Sequence, residues 1–209
     1  RSFVLKTEYL SGITKELHMS QYKTHIDSHN KVSSRLDSYD RARTDNPFDS
    51  EFRHMKLDEQ FNLNAVKLHE LYFTNISDLH SEIRMDSVPF LRIAKEWGTF
   101  HKWQLDFIAC GMSSLEGWVM LYFDPFKQKY FNTFIESHTA NIPVMGVPVL
   151  ILDVHHHAWW KDYPGDKRNY LNAMMLEINW AVVEARMIIS EMCNLNKLYM
   201  IEPVGVTVA

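Results

Sequence analysis

The spacing of side chains first follows a helical interval. After Ser11, residues Ile13, Leu17, Tyr22, His25, His29, Val32 and Leu36 succeed one another in steps mostly of three and four. This predicts a long helix with Ser11 as its N-cap and Thr14 as the competing start. Residues 41–56 are polar, carry Asn46-Pro47 and read as a connection. A second stripe, Leu57, Phe61, Ala65, Leu68, Tyr72, Ile76 and Leu79, predicts a second helix. Two long helices joined by a loop make an antiparallel hairpin.

The hairpin ends at Asp86-Ser87-Val88-Pro89, which divides the chain into a helical-hairpin domain, 1–86, and a second domain, 87–209. Residues 89–111 again read as helical and close at Gly111. Three β-type runs follow, Gly117–Phe123, Tyr130–Ile135 and Pro148–Val154, with Asp124-Pro125 turning the first into the second as an antiparallel hairpin. The third run is apolar at four successive positions, Val149 to Leu152, as in a strand covered on both faces. A last long helix is expected from after Tyr163-Pro164-Gly165 to about Cys193. The fold class is α+β: an N-terminal antiparallel helical hairpin, then an α/β domain with a small three-stranded antiparallel sheet and a C-terminal extension, Asn196–Ala209, that could serve as a docking strand.

Composition narrows the function. Lys and Arg number 22 against 26 Asp and Glu, a formal charge of −4, so the basic excess of a nucleic-acid binder is missing. No run approaches about 18 apolar residues, so no membrane span is expected. The two cysteines, Cys110 and Cys193, make no disulfide framework and read as small buried residues on two different helices of an intracellular protein, mitochondrial or bacterial cytoplasmic. Eleven histidines among 209 residues ask for a metal or for proton transfer.

Two of those histidines stand in a suggestive place. Asp153 directly follows the apolar run, which puts a carboxylate at the inner end of a buried strand. A buried carboxylate must be paired, hydrogen-bonded or bound to a metal. His157 lies four residues on and shares its face if the chain turns helical there. His69 sits on the stripe of the second helix, where a lone histidine is more often a hydrogen-bonded core residue than a ligand. Asp-x-x-x-His with a further His suits Fe, Mn or Zn. The rival is a surface histidine tract, because His155 and His156 flank the position.

The stretch from Asp153 to Arg186, DVHHHAWWKDYPGDKRNYLNAMMLEINWAVVEAR, resembles the C-terminal signature of the iron/manganese superoxide dismutases. That signature runs Asp-Val-Trp-Glu-His-Ala-Tyr-Tyr, followed by a Tyr, Asn-Trp and Val-x-x-Arg. Tyr170, Asn179-Trp180 and Val183 with Arg186 stand at the family spacing. Phe61-Asn62-Leu63 with His69 and Leu71-Tyr72-Phe73 is similar to the family's ligand-bearing second helix. Trp97-Gly98-Thr99-Phe100 is similar to its Phe-Gly-Ser-Phe, and Glu116-Gly117-Trp118 to the end of its Gly-Ser-Gly-Trp. Ser11-Gly12 with Glu16-Leu17-His18 matches the helix of the first ligand. The resemblance spans roughly residues 5–195.

It implies a redox metal, iron by preference or manganese, one per chain, held by His18, His69, Asp153 and His157. It also implies superoxide as substrate. Trp118 would wall the pocket, and His138 would hydrogen-bond the solvent at the metal, with the small Ala65 leaving room for it. Tyr22 stands where the family has a gate histidine and is a third candidate for the catalytic surroundings. Three neutral imidazoles and one carboxylate suit a metal cycling between two oxidation states if each electron travels with a proton.

The departures are as informative. Ile26 replaces the gate tyrosine, although a one-residue slip would bring His25 or His29 close. Trp160 replaces a pocket tyrosine. His155 and His156 replace the Trp and Glu before the last ligand, and the family's Glu bridges to the partner subunit. The partner arrangements left open are a homodimer, a heterodimer with a related chain, or docking in a larger complex, without a membrane span and without nucleic acid. Two readings of function result: a superoxide dismutase with an altered gate, or a dismutase-like structural subunit of a larger assembly such as a mitochondrial ribosome. A zinc hydrolase ranks behind both, for want of a general base beside the ligands.

Overall fold

The computed structural model describes residues 3–43, 48, 50–76 and 81–195. Leu79, Asn46-Pro47 and the extension Asn196–Ala209 lie outside them. Ser11 is the cap of the first helix, α1 (Gly12–Ser38): its hydroxyl accepts the Thr14 N–H at 3.2 Å. The buried face of its first turns is Thr14, His18 and Tyr22, while the expected stripe residues Ile13 and Leu17 point to solvent. Steps of four from Thr14 keep one line of side chains toward the next helix, and Ile13 and Leu17 lie a residue's rotation away from it.

That next helix, α2 (Glu51–Ile76), begins six residues before the expected Leu57. Ser50 caps it, accepting from the Arg53 N–H at 3.1 Å, so the end of the supposed connection is helical. Leu57 is exposed, and Met55 is the buried residue of that turn.

Residues 89–111 do not form one helix. They form α3 (Val88–Trp97) and α4 (Phe100–Ser113), broken where Gly98 takes φ 82° and Thr99 recaps the chain through the Lys102 N–H. Gly111 ends nothing. It lies inside α4, where an added Cβ would stand 2.9 Å from Leu171 Cδ1.

The sheet is as expected, with β1 (Gly117–Asp124), β2 (Lys129–Glu136) and β3 (Val147–Asp153) in the order β2-β1-β3, antiparallel throughout. The Asp124 carboxylate accepts the Phe126 and Lys127 N–H groups and closes the first hairpin. From Val149 to Asp153 every residue of β3 is buried. Register places Trp118 of β1 opposite Asp153 on one side and Ile135 on the other.

The last helix is also divided. A short α5 (His156–Trp159) precedes α6 (Lys167–Leu176) and α7 (Trp180–Glu191). Asn179 makes the break between α6 and α7: its N–H donates to the Asn75 carbonyl at 2.8 Å and its side chain caps α7. Arg186 of α7 donates to Asn75 Oδ1, the Val149 carbonyl and the Leu71 carbonyl, which fixes α2 against β3. The core lies between α2, the sheet, α4 and the α6–α7 pair. Both cysteines are free, as read, but neither is buried: Cys110 of α4 is partly covered, and Cys193 is exposed past the end of α7. Among the described residues no helix is long and apolar enough to cross a membrane.

Candidate metal centre

Four elements converge on one point. His18 comes from α1, His69 from α2, Asp153 from the end of β3 and His157 from α5, and one ligand atom of each lies within 4.8 Å of the others. Asp153 Oδ2 is the common neighbour: His18 Nε2 is 2.8 Å from it, His157 Nε2 3.4 Å and His69 Nε2 3.9 Å. Asp153 and His157 do not share a helix face. The strand ends at Asp153, and α5 begins at His156 and turns His157 back toward it.

The donor chemistry fits a cation. His69 Nδ1 lies 2.7 Å from the Ala65 carbonyl, which can only accept, so the ring proton is on Nδ1 and Nε2 presents a lone pair. Among the described residues, His69 Nε2 and His157 Nε2 are buried nitrogens without a hydrogen-bond partner. Buried polar atoms are rarely left so unless something occupies the space between them. Burial, with His18 alongside, pushes His69 down to about 2, and burial likewise lowers His18, so both imidazoles are neutral ligands at neutral pH. Burial of Asp153 opposes its charge, but His155, His157 and His18 around it hold the carboxyl well below its usual range. It is the one anion of the group.

The expected neighbours surround this cluster unevenly. Trp118 is fully buried, its ring centroid 4.9 Å from that of His69. His138 is buried beside it, accepting the Trp118 indole N–H on Nδ1 at 3.0 Å. Tyr22 is buried too, but its hydroxyl donates to Glu70 Oε1 at 2.9 Å. At the gate, His25 faces His138 with ring centroids 4.9 Å apart, while Ile26 packs against the core and His29 turns to the Glu59 carbonyl. His25 Nδ1 is held by Asn62 Oδ1 at 2.9 Å, and Asn62 is fixed in turn because its NH₂ donates to the Asp58 carbonyl. Tyr170 donates to the Asp153 carbonyl at 2.6 Å and steadies the strand end.

The surface-tract reading holds for His156 alone. That side chain is exposed and pairs with Glu116, which also accepts the His156 N–H at 2.9 Å. His155 is buried, and its Nδ1 lies 2.8 Å from Asp153 Oδ1. Sequence spacing missed this contact, as it missed Asn62, Glu70 and Glu116. For His155 there was a signal, since two residues after a strand-end carboxylate a side chain can fold back onto it.

Comparison with known proteins agrees with this geometry. The profile described as iron/manganese superoxide dismutases, C-terminal domain, matches residues 90–186. The iron superoxide dismutase of Cupriavidus metallidurans is 29% identical over 177 residues, covering 82% of this chain and 86% of that protein. That of Aquifex pyrophilus is 27% identical over 189 residues, 87% of each chain. These matches support reading the chain as a divergent relative of the iron/manganese superoxide dismutases. Both metal classes of the family occur among its relatives, since the manganese superoxide dismutase of Nocardia asteroides is 27% identical over 85% of this chain and 84% of its own length.

Proposed function

We propose that this chain is a superoxide dismutase that holds one iron or manganese ion between His18, His69, Asp153 and His157. The observation that carries the proposal is the pair of buried, partnerless Nε2 atoms of His69 and His157 facing a carboxylate oxygen. Three neutral imidazoles and one carboxylate form a borderline donor set suited to first-row metals. When bound, the metal supplies a one-electron couple that can accept an electron from one superoxide and return it to the next, giving dioxygen and, with two protons, hydrogen peroxide.

The chain's own residues do the rest. Trp118 and Tyr72 wall the cluster with apolar surface and keep bulk water from its inner side. His138 carries its proton on Nε2, because Nδ1 already accepts from Trp118, so it offers an N–H beside the cluster. His25 presents the complementary atom. Its Nδ1–H is committed to Asn62, which leaves Nε2 as an acceptor on the approach side. His25 thus stands in for the gate hydroxyl that Ile26 cannot supply. A polar imidazole at position 138 favours iron over manganese as the working metal. The structural-subunit reading draws no support from the relatives, whose names are those of enzymes.

The test is metal analysis of the purified chain together with superoxide consumption measured against free metal. A fully metallated protein that consumes no superoxide above that background overturns the enzyme reading.

A further inference from the structure

His155 places two donors on one oxygen. Its backbone N–H lies 2.9 Å from Asp153 Oδ1 and its ring Nδ1 2.8 Å from the same atom. An ionised carboxylate only accepts, so Nδ1 carries the proton. Oδ1 is then occupied, and Oδ2 is the oxygen left to face His18, His69 and His157. A carboxylate turns easily about its last bond, where the torsion is broad and two-fold. Here the turn would break both bonds at once. The His155 ring is itself fixed, stacked on His157 at 5.3 Å and 19° and meeting the Trp118 ring edge-on at 5.4 Å.

The family residue at this position is tryptophan. Its indole N–H lies one bond farther from Cβ than Nδ1 does, so the short side-chain bond to the aspartate belongs to this chain. A second donor on Oδ1 also withdraws charge from the carboxylate. A trivalent ion gains more from a full carboxylate charge than a divalent ion does. Resting on the metal reading above, the geometry points to His155 as a positioning residue: it locks Asp153 with Oδ2 toward the metal and biases the bound ion toward its divalent state.

The experiment compares wild type, His155→Phe and His155→Asn after loading the metal-free protein with iron. Phe keeps the ring packing and removes the donor, and Asn restores an N–H close to where Nδ1 stands. Metal content is measured by mass spectrometry, the Fe(III)/Fe(II) midpoint by optical redox titration, and folding by circular dichroism. His155→Phe is expected to lower the midpoint, changing the ratio of reduced to oxidised iron at fixed potential about tenfold, or 59 mV for one electron. His155→Asn is expected to return it toward the wild-type value. Loss of iron from His155→Phe with retention in His155→Asn supports the positioning role equally. A midpoint unchanged in iron-loaded His155→Phe overturns it, and so does equal loss of iron from both variants. A wild-type chain that retains no metal overturns the metal reading itself, a result visible before any variant is made.

Discussion

The indole N–H of Trp118 donates to Nδ1 of His138 at 3.0 Å. The bond links the first residues of β1 to the chain just beyond β2, and it decides a tautomer, since the indole can only donate. Burial, then the nearby His155, pushes His138 down to about 3, so the ring stays neutral with its proton on Nε2. In ¹⁵N-resolved spectra of the metal-free protein, His138 should read as the Nε2–H tautomer between pH 5 and 8. Trp118→Phe should abolish that preference and cost about 1–2 kcal/mol through the unsatisfied ring nitrogen. An Nδ1–H signal in wild type would contradict the assignment.

Asp153→Ala should eliminate metal retention, because it removes the only anion of the cluster and leaves three imidazoles without a common neighbour. Equilibrium dialysis against iron or manganese measures this. Retention of a full equivalent by the variant would mean that the ion sits elsewhere.

Acid should destabilise the metal-free protein well before the carboxylates titrate. His69 is pushed down to about 2 and His138 to about 3, both below the ordinary histidine value of 6.5. Between those limits the unfolded chain binds protons that the native chain refuses. Their contribution is therefore complete above pH 6.5 and is lost as pH falls from there, at up to about 1.4 kcal/mol per pH unit for each histidine. His157 has the opposite sign: Asp153 outweighs its burial and raises it, so its contribution is complete below 6.5 and is lost as pH rises past the raised value. The urea midpoint of the chelated protein should fall between pH 7 and pH 5. A midpoint constant over that range would show that the native state accepts the protons.

His156 pairs with Glu116 of its own chain, so the position where the resembled family carries a bridging carboxylate is engaged internally here. His156→Glu alone would set two carboxylates side by side. His156→Glu combined with Glu116→Ser should strengthen self-association over wild type in sedimentation velocity, and the single change should not. Equal dimerisation by all three proteins would place any interface away from this pair.

What could be read from the sequence was what local pattern controls. Ser11 announced its helix, Asp124 its turn, and the unbroken run Val149–Leu152 announced a strand buried on both faces with a carboxylate at its end. The helix breaks at Gly98 and at Asn179 escaped because periodicity continues across each, and the second is set by a bond to Asn75, over one hundred residues away in the chain. Ile13 and Leu17 misled because apolarity usually marks the inner face, whereas here Thr14 and His18 take it. The four clustered residues were legible through family spacing. The contact of His155 went unread although its place two residues after Asp153 allowed it, because a run of three histidines looks alike until the fold buries the first and exposes the second.

The convergence of α1, α2, β3 and α5 has a thermodynamic side as well. His18 and Asp153 are 135 residues apart in the chain, yet they touch. An ion held between them would act as a reversible cross-link closing a very long loop. By the loop-entropy estimate used for disulfides, a closure of that length restricts the unfolded chain by about 5 kcal/mol. Unlike a disulfide, such a staple exists only while the ion is bound, so the melting temperature of this protein should track free metal concentration through mass action. The site that selects a metal would then also report how much of it is available.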